Sequence, residues 1–148
     1  MNLRKCLNLA ASLGIMLAIE NEESEIAVSL DKIVYYVRDI NSPWLQIYPD
    51  IGNLTAMNQD VKEQLQNYGK HIAAVHIKDT QPGIVRNIPF GKGIVDFVSA
   101  FKVLENICYH GPILLEMWAD DKKDNFDIVK NAREWVSGKI AQAEIYRN

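Results

Sequence analysis

The stretch that decides the fold is AAVHIKDT, residues 73–80. Its apolar residues are typical of a buried strand, whereas His76, Lys78 and Asp79 crowd its far end. Burying a polar group without a partner costs roughly 2–7 kcal/mol. The stretch therefore predicts a strand whose polar end meets groups that stabilise it.

Apolar runs of strand length alternate with segments of helical spacing along the rest of the chain. The predicted strands are residues 15–20, 44–50, 72–78 and 112–118. The predicted helices are residues 3–13, residues 25–40, a short segment capped by Asn58, a segment capped by Asp96 that ends by Gly111, and the region from Asn125 onward. A long polar loop is predicted from Thr80 to Gly93. No linker divides this series, so it predicts one α/β domain over residues 1–148 with a parallel sheet.

Composition narrows the classes of partner. The 148 residues carry a formal net charge of −3, which provides no basic field for nucleic acid or anionic lipid. The apolar run CLNLAASLGIMLAI, residues 6–19, is too short to span a membrane and is followed by acidic residues rather than a cleavage site. Two widely separated cysteines favour free thiols. We therefore expect a cytoplasmic protein whose partners are small molecules or proteins.

Each predicted strand ends close to a side chain that could bind a metal ion: Glu20, Asp50, His76 and Glu116. In parallel α/β folds the carboxyl ends of the strands share one edge, and binding residues collect there. Three carboxylates and an imidazole suit Mn²⁺, Zn²⁺ or Mg²⁺. A single acidic residue after a strand can equally be a turn former or a helix cap, so the spacing leaves both a shared site and separate local roles open.

The same residues carry a family resemblance. The segments LAIE, YPDIGN, AVHIKDT, IPFGKGIVDF and LLEMW together resemble the C-terminal half of the sugar-phosphate 3-epimerases of the xylose isomerase-like barrel superfamily, such as L-ribulose-5-phosphate and L-xylulose-5-phosphate 3-epimerases. The resemblance implies half of a (β/α)₈ TIM barrel, a divalent metal and a phosphorylated ketose as substrate. It also implies that Glu20, Asp50, His76 and Glu116 are the metal ligands and that Glu20 and Glu116 are the catalytic acid and base.

Further residues are candidates for binding the substrate. Asn53 could bond a sugar hydroxyl or cap a loop, and Lys78 and Arg86 could contact phosphate, although Arg86 could equally be a solvated surface residue. Relatives more often have GEG where this chain has Gly91, Lys92 and Gly93. Lys92 could add an anion contact or simply be solvated.

The length of the chain bears on both assembly and activity. A closed barrel takes about 250 residues, whereas this chain has room for four βα units. We therefore expect a homodimer, a complementing N-terminal half-barrel, or a truncated form. Beside the 3-epimerase, the alternatives are a non-catalytic half-barrel that binds metal or assembles as a dimer, an aldose-ketose sugar-phosphate isomerase and, more weakly, a DNA-repair nuclease.

Overall fold

In the computed structural model of the protein, residues 2–121 and 124–144 are described. The strands are β1 Leu17–Glu20, β2 Leu45–Tyr48, β3 Val75–Ile77, β4 Asp79–Gln81, β5 Ile84–Ile88 and β6 Ile113–Leu115. The α-helices are α1 Asn2–Ser12, α2 Leu30–Ile40, α3 Ile51–Ala56, α4 Val61–Tyr68, α5 Phe97–Asn106 and α6 Asn125–Glu144, and a 3₁₀ turn covers Gly69–His71.

Four of the strands form a parallel row. β1 pairs with β2 and β3 pairs with β6, both in parallel. Two isolated parallel bridges, Ile47 with Ile72 and Asp50 with His76, join β2 to β3. The order β1-β2-β3-β6 with helical crossovers is that of half a (β/α)₈ barrel, as the sequence predicts.

The two faces of this row differ because side chains alternate across a strand. One face packs under the helices, and Leu45, Ile47, Val75 and Ile77 on it have no exposed surface. The opposite face is open, and Leu114 on it is 44% exposed. In this chain the inner face of the half-barrel therefore has no layer over it among the described residues.

Two predicted helix starts were wrong. Helix α2 begins at Leu30 rather than at residue 25, because Ser29 is its N-cap and accepts a hydrogen bond from the Lys32 backbone N–H. Helix α4 is capped by Asp60 and not by Asn58, whose φ of 54° is left-handed. In both cases apolar residues just before the helix extend the helical spacing into turns.

The predicted loop from Thr80 to Gly93 contains an antiparallel hairpin of β4 and β5. Gly83, with φ of +69°, supplies the left-handed residue in its connection. The short helix α3, which follows β2 directly, was also not predicted. By contrast, the Asp96 cap of α5 and the start of α6 at Asn125 were predicted correctly.

No helix in residues 2–121 or 124–144 is long and apolar enough to cross a membrane. Cys6 and Cys108 are both free and exposed, in line with the expectation of free thiols.

Candidate metal centre

Four side chains that were predicted from four separate strand ends converge. Glu20 ends β1, Asp50 lies between β2 and α3, His76 lies in β3 and Glu116 follows β6. One potential ligand atom from each lies within 4.8 Å of the others. The convergence follows from the parallel row, which brings all four carboxyl ends to one edge.

His76 lies between the two glutamates. Its Nδ1 is 2.7 Å from Glu20 Oε1 and 3.7 Å from Glu116 Oε2. The Tyr48 ring packs against the imidazole with a centroid distance of 4.2 Å. Tyr48 feels the same cluster, because burial first, and then the charges of the nearby carboxylates, raise the pKa of its hydroxyl. One imidazole thus connects the side chains of the two outermost strands of the row.

Asp50 is fully buried and only partly satisfied. Its Oδ1 accepts a hydrogen bond of 2.9 Å from the Asn53 backbone N–H and so caps α3. Its Oδ2 lies 3.0 Å from Lys78 Nζ, yet the angles are not those of a hydrogen bond and this oxygen has no hydrogen-bond donor. Burial raises the pKa of Asp50 to about 6, and the charge of Glu116 adds to the rise while Lys78 opposes it.

Lys78 supplies the ammonium at the centre of the carboxylates. Its side chain is 5% exposed, and Nζ lies 3.2 and 3.1 Å from the two carboxylate oxygens of Glu116. The ring of Trp118 lies 5.8 Å from the same Nζ. One ammonium therefore serves Asp50 and Glu116 together, and the cluster keeps an excess of negative charge.

The cluster fits a divalent cation. Its donors are three carboxylates and an imidazole, which are ligands that Mn²⁺ and Zn²⁺ accept and of which Mg²⁺ favours the oxygens. Asp50 Oδ2 is the clearest observation, because a buried carboxylate oxygen without a hydrogen-bond donor is costly unless a cation faces it.

Asn21 is a residue of the site that sequence reasoning missed. It is fully buried, its Oδ1 accepts a 2.7 Å hydrogen bond from the Asp50 backbone N–H, and its Nδ2 donates to the Asp50 carbonyl at 3.1 Å. The side chain thereby clamps the end of β2 to the end of β1. An asparagine directly after Glu20 is the only sequence signal, and it does not reveal a partner 29 residues away.

The three predicted substrate contacts have different surroundings. Asn53 is 3% exposed, and its Nδ2 donates to the Asn21 carbonyl at 2.8 Å while its Oδ1 has no donor. Lys78 lies inside the cluster. Arg86 lies on β5, is largely exposed and pairs with Glu23. The structure therefore brings Asn53 and Lys78 to the metal-type ligands and leaves Arg86 on the hairpin.

Helix α3 approaches Lys78 closely at Gly52. A Cβ at this position would lie 2.5 Å from Lys78 Cγ and 2.6 Å from the Lys78 carbonyl oxygen. Glycine therefore allows the start of α3 to pack directly against the end of β3. This contact accounts for the glycine of the YPDIGN segment.

Asp79 has an environment unlike that of Asp50. Its Oδ2 accepts hydrogen bonds from the backbone N–H groups of Gly91 at 2.8 Å and Gly93 at 2.9 Å, and its Oδ1 accepts from Thr80 at 3.0 Å and Val95 at 3.3 Å. A Cβ on Gly93 would lie 2.1 Å from Asp79 Oδ1. The carboxylate therefore organises the Gly91–Gly93 loop, and Lys92 is exposed on it.

These contacts explain how the polar end of AAVHIKDT tolerates burial. His76 and Lys78 contact carboxylates of the cluster, and Asp79 binds backbone amides. Each of the three groups has a charged or polar partner, so none bears the full desolvation penalty.

Known proteins share this arrangement of elements. The chain is 42% identical over 141 residues to an L-ribulose-5-phosphate 3-epimerase UlaE of Escherichia coli, a match that covers 95% of this chain and 50% of the relative. A protein of the same name from Salmonella paratyphi A is 41% identical over 141 residues. The chain thus spans about half the length of the curated relatives it matches.

Solved structures agree on the fold. A structure of L-ribulose 3-epimerase superposes with a TM-score of 0.81 at 21% identity, covering 96% of this chain and 52% of the other. A D-tagatose 3-epimerase-like protein superposes with a TM-score of 0.82 at 25% identity, covering 99% of this chain and 54% of the other.

The sequence model of the family described as "Xylose isomerase-like TIM barrel" matches residues 1–138. With a match over nearly the whole chain and a parallel row of βα units to accompany it, the chain belongs to the xylose isomerase-like TIM barrel family.

Proposed function

We propose that this chain carries the metal site and the proton-transfer groups of a 3-epimerase acting on a phosphorylated ketose. The metal ligands are Glu20, Asp50, His76 and Glu116, and the proton-transfer groups are Glu20 and Glu116. The observation that carries the proposal is the convergence of these four side chains within 4.8 Å. The 42% identity to L-ribulose-5-phosphate 3-epimerases supports the choice of reaction and substrate class.

Inverting carbon 3 of a ketose requires a base that removes its proton and an acid that returns one to the opposite face. Glu20 and Glu116 come from β1 and β6, the two ends of the strand row, and both lie beside His76 Nδ1. They are therefore supplied from two sides of one small site. A bound divalent ion would supply positive charge for the electrons left on the substrate after deprotonation.

His76 and Lys78 position the two carboxylates in this proposal. His76 holds Glu20 at 2.7 Å, and Lys78 holds both oxygens of Glu116 at 3.1 to 3.2 Å. Fixing the reacting groups matters because misplacement near 1 Å can reduce a rate about 100-fold. Asn21 adds to this order by fixing the backbone of Asp50. The substrate contacts of Asn53, Lys78 and Arg86 stay predictions.

The test is deuterium exchange from solvent into L-ribulose 5-phosphate, followed by NMR with Mn²⁺ present. We expect metal-dependent exchange at carbon 3, reduced at least about 100-fold in Glu116→Gln and in Glu20→Gln. Lys92→Gln, an exposed change in the neighbouring loop, is the matched control and should exchange at the rate of the unmodified chain.

A second candidate is favoured by the open inner face of the strand row, on which Leu114 is 44% exposed. It is a half-barrel that binds metal and assembles without turnover. Exchange that is absent while Mn²⁺ still binds would support this candidate and contradict the first. Label at carbon 1 instead of carbon 3 would indicate an aldose-ketose isomerase.

The same open face bears on assembly. For the isolated 148-residue chain we expect a second copy to cover it, because exposed apolar surface between unpaired strand edges favours association. Light scattering over a wide range of chain concentrations tests this expectation. A stable monomer would contradict it, and association only with a separately supplied N-terminal half-barrel would identify the other predicted partner.

A further inference from the structure

The position of Lys78 inside the carboxylate cluster has a consequence for which ions the site accepts. Its ammonium is nearly buried and contacts Asp50 and Glu116, two of the four metal-type ligands, at 3.0 to 3.2 Å. Glu20 and His76 complete the set. With a neutral imidazole, three carboxylates and one ammonium leave two negative charges.

We propose that Lys78 sets the charge of the ion that the site selects, by leaving a deficit that a divalent cation neutralises. This inference rests on the proposed metal site and names a residue that acts on its specificity. Without the ammonium, the same ligands would present three negative charges and favour a trivalent ion. Lys78 would thus discriminate by charge, while the ligands themselves determine geometry.

The surroundings of Lys78 support a fixed charge. Its side chain is 5% exposed, so bulk water screens it weakly. Gly52 packs against its Cγ and its carbonyl oxygen, and the Trp118 ring lies 5.8 Å from Nζ. The stem is therefore enclosed, and the ammonium has little room to leave the carboxylates for a ligand in solvent.

Asp50 supplies an independent observation that a cation belongs here. Its side chain is 0% exposed, and Oδ2 has no hydrogen-bond donor although Lys78 Nζ is 3.0 Å away. One lysine therefore does not complete the coordination of the cluster. A second cation at this oxygen would, and the charge balance indicates that it carries two units.

The magnitude follows from Coulomb's law. A unit charge about 5 Å away, at an effective dielectric constant of about 20, changes the affinity for each unit of ionic charge by a factor of order 100. A trivalent ion differs from a divalent one by one such unit. Removing the ammonium should therefore shift the ratio of Tb³⁺ affinity to Mn²⁺ affinity by about 100-fold toward Tb³⁺.

The experiment measures that ratio by competition, with Tb³⁺ luminescence sensitised by Trp118 and Mn²⁺ as the competitor. The test variant is Lys78→Met, which keeps the length of the side chain. Lys78→Arg keeps the charge, and Lys92→Met removes a charge from the exposed loop. We expect the 100-fold shift in Lys78→Met alone. A Lys78→Met ratio within about threefold of the unmodified chain would overturn the inference, given the expected size of the shift.

Lys78→Met leaves buried carboxylates without their ammonium and could prevent folding, which circular dichroism would show. The double variant Lys78→Met with Asp50→Asn restores the original net charge and keeps an amide oxygen as a ligand. Its Tb³⁺ to Mn²⁺ ratio should return to that of the unmodified chain, and a ratio still shifted about 100-fold would overturn the inference. If the unmodified chain bound neither ion, the proposed metal site itself would be wrong.

Discussion

Asp50 and Asp79 are both buried carboxylates at the ends of strands, yet their surroundings differ. Asp79 accepts four backbone hydrogen bonds, two on each oxygen. Asp50 accepts one, and its Oδ2 faces only the ammonium of Lys78 without hydrogen-bond geometry. The difference teaches that Asp79 stabilises the fold, whereas Asp50 keeps acceptor capacity for a ligand, and four changes would break or sharpen this distinction.

The largest effect is expected for Asp79→Asn. The amide would place an N–H₂ group against backbone donors and remove a charge that four N–H groups stabilise. We expect a loss of about 4 kcal/mol in the free energy of unfolding, as for other buried groups left with unmatched partners. Urea denaturation would measure it. A loss below about 1 kcal/mol would remove the structural role assigned to Asp79.

Gly93→Ala tests the same network from the side of the loop. A Cβ would lie 2.1 Å from Asp79 Oδ1 and 2.3 Å from the Thr80 carbonyl oxygen, so the loop would have to move. We expect a loss of about 3 kcal/mol, which is typical of overpacking against backbone. Gly138→Ala is the control, because no atom lies within 4 Å of its Cβ and alanine favours the helix by about 0.5–1 kcal/mol.

Asp50→Asn should have a much smaller effect on the metal-free chain. Burial already disfavours the charge of Asp50, whose pKa rises to about 6, and asparagine can still cap α3. We expect unfolding free energies within about 1 kcal/mol of the unmodified chain, together with loss of stabilisation by Mn²⁺. Urea denaturation with and without Mn²⁺ gives both values. A metal-free loss as large as that of Asp79→Asn would erase the distinction.

The smallest effect is expected at an exposed carboxylate. Tyr68 donates a hydrogen bond to Asp31, which lowers the pKa of that carboxyl. Because the folded pKa lies below the unfolded one, this stabilisation is present above about pH 4 and is lost as the pH falls through the folded pKa.

Tyr68→Phe should therefore reduce the unfolding free energy by up to about 0.5 kcal/mol at pH 7, given the screening at the surface. The difference from the unmodified chain should disappear near pH 2. Tm measured at both pH values would show this, with Tyr35→Phe, at a side chain that is 69% exposed, as the control. An equal loss at both pH values would mean that packing, and not the Asp31 contact, is responsible.

The periodic parts of the fold were predictable from sequence. Local signals of spacing and capping are sufficient for α5 and α6, because Asp96 and Asn125 mark their starts. The start of α2 was missed because residues 25–28 continue the apolar spacing while Ser29 caps the helix after them. The hairpin of β4 and β5 was missed because its residues are polar and pair only with each other.

The candidate site was predictable as far as topology determines it. Parallel strands bring Glu20 and Glu116 to the same edge although 96 residues separate them in the chain, and this required only the order of the elements. The role of Asn21 was not predictable, since its two hydrogen bonds reach the backbone of Asp50. Nor could sequence show that Lys78 pairs with carboxylates of the cluster, because that depends on how closely α3 packs at Gly52.

The open inner face of the strand row lies on the same side as the cluster, since Leu114 precedes Glu116 by one alternation of the strand. A molecule that covers this face would also exclude water from the carboxylates and lower their local dielectric. Metal binding and association would then be thermodynamically linked, and each would strengthen the other by the same factor. A metal titration of this chain would in that case depend on the concentration of the protein itself, and a chelator would act as a dissociating agent.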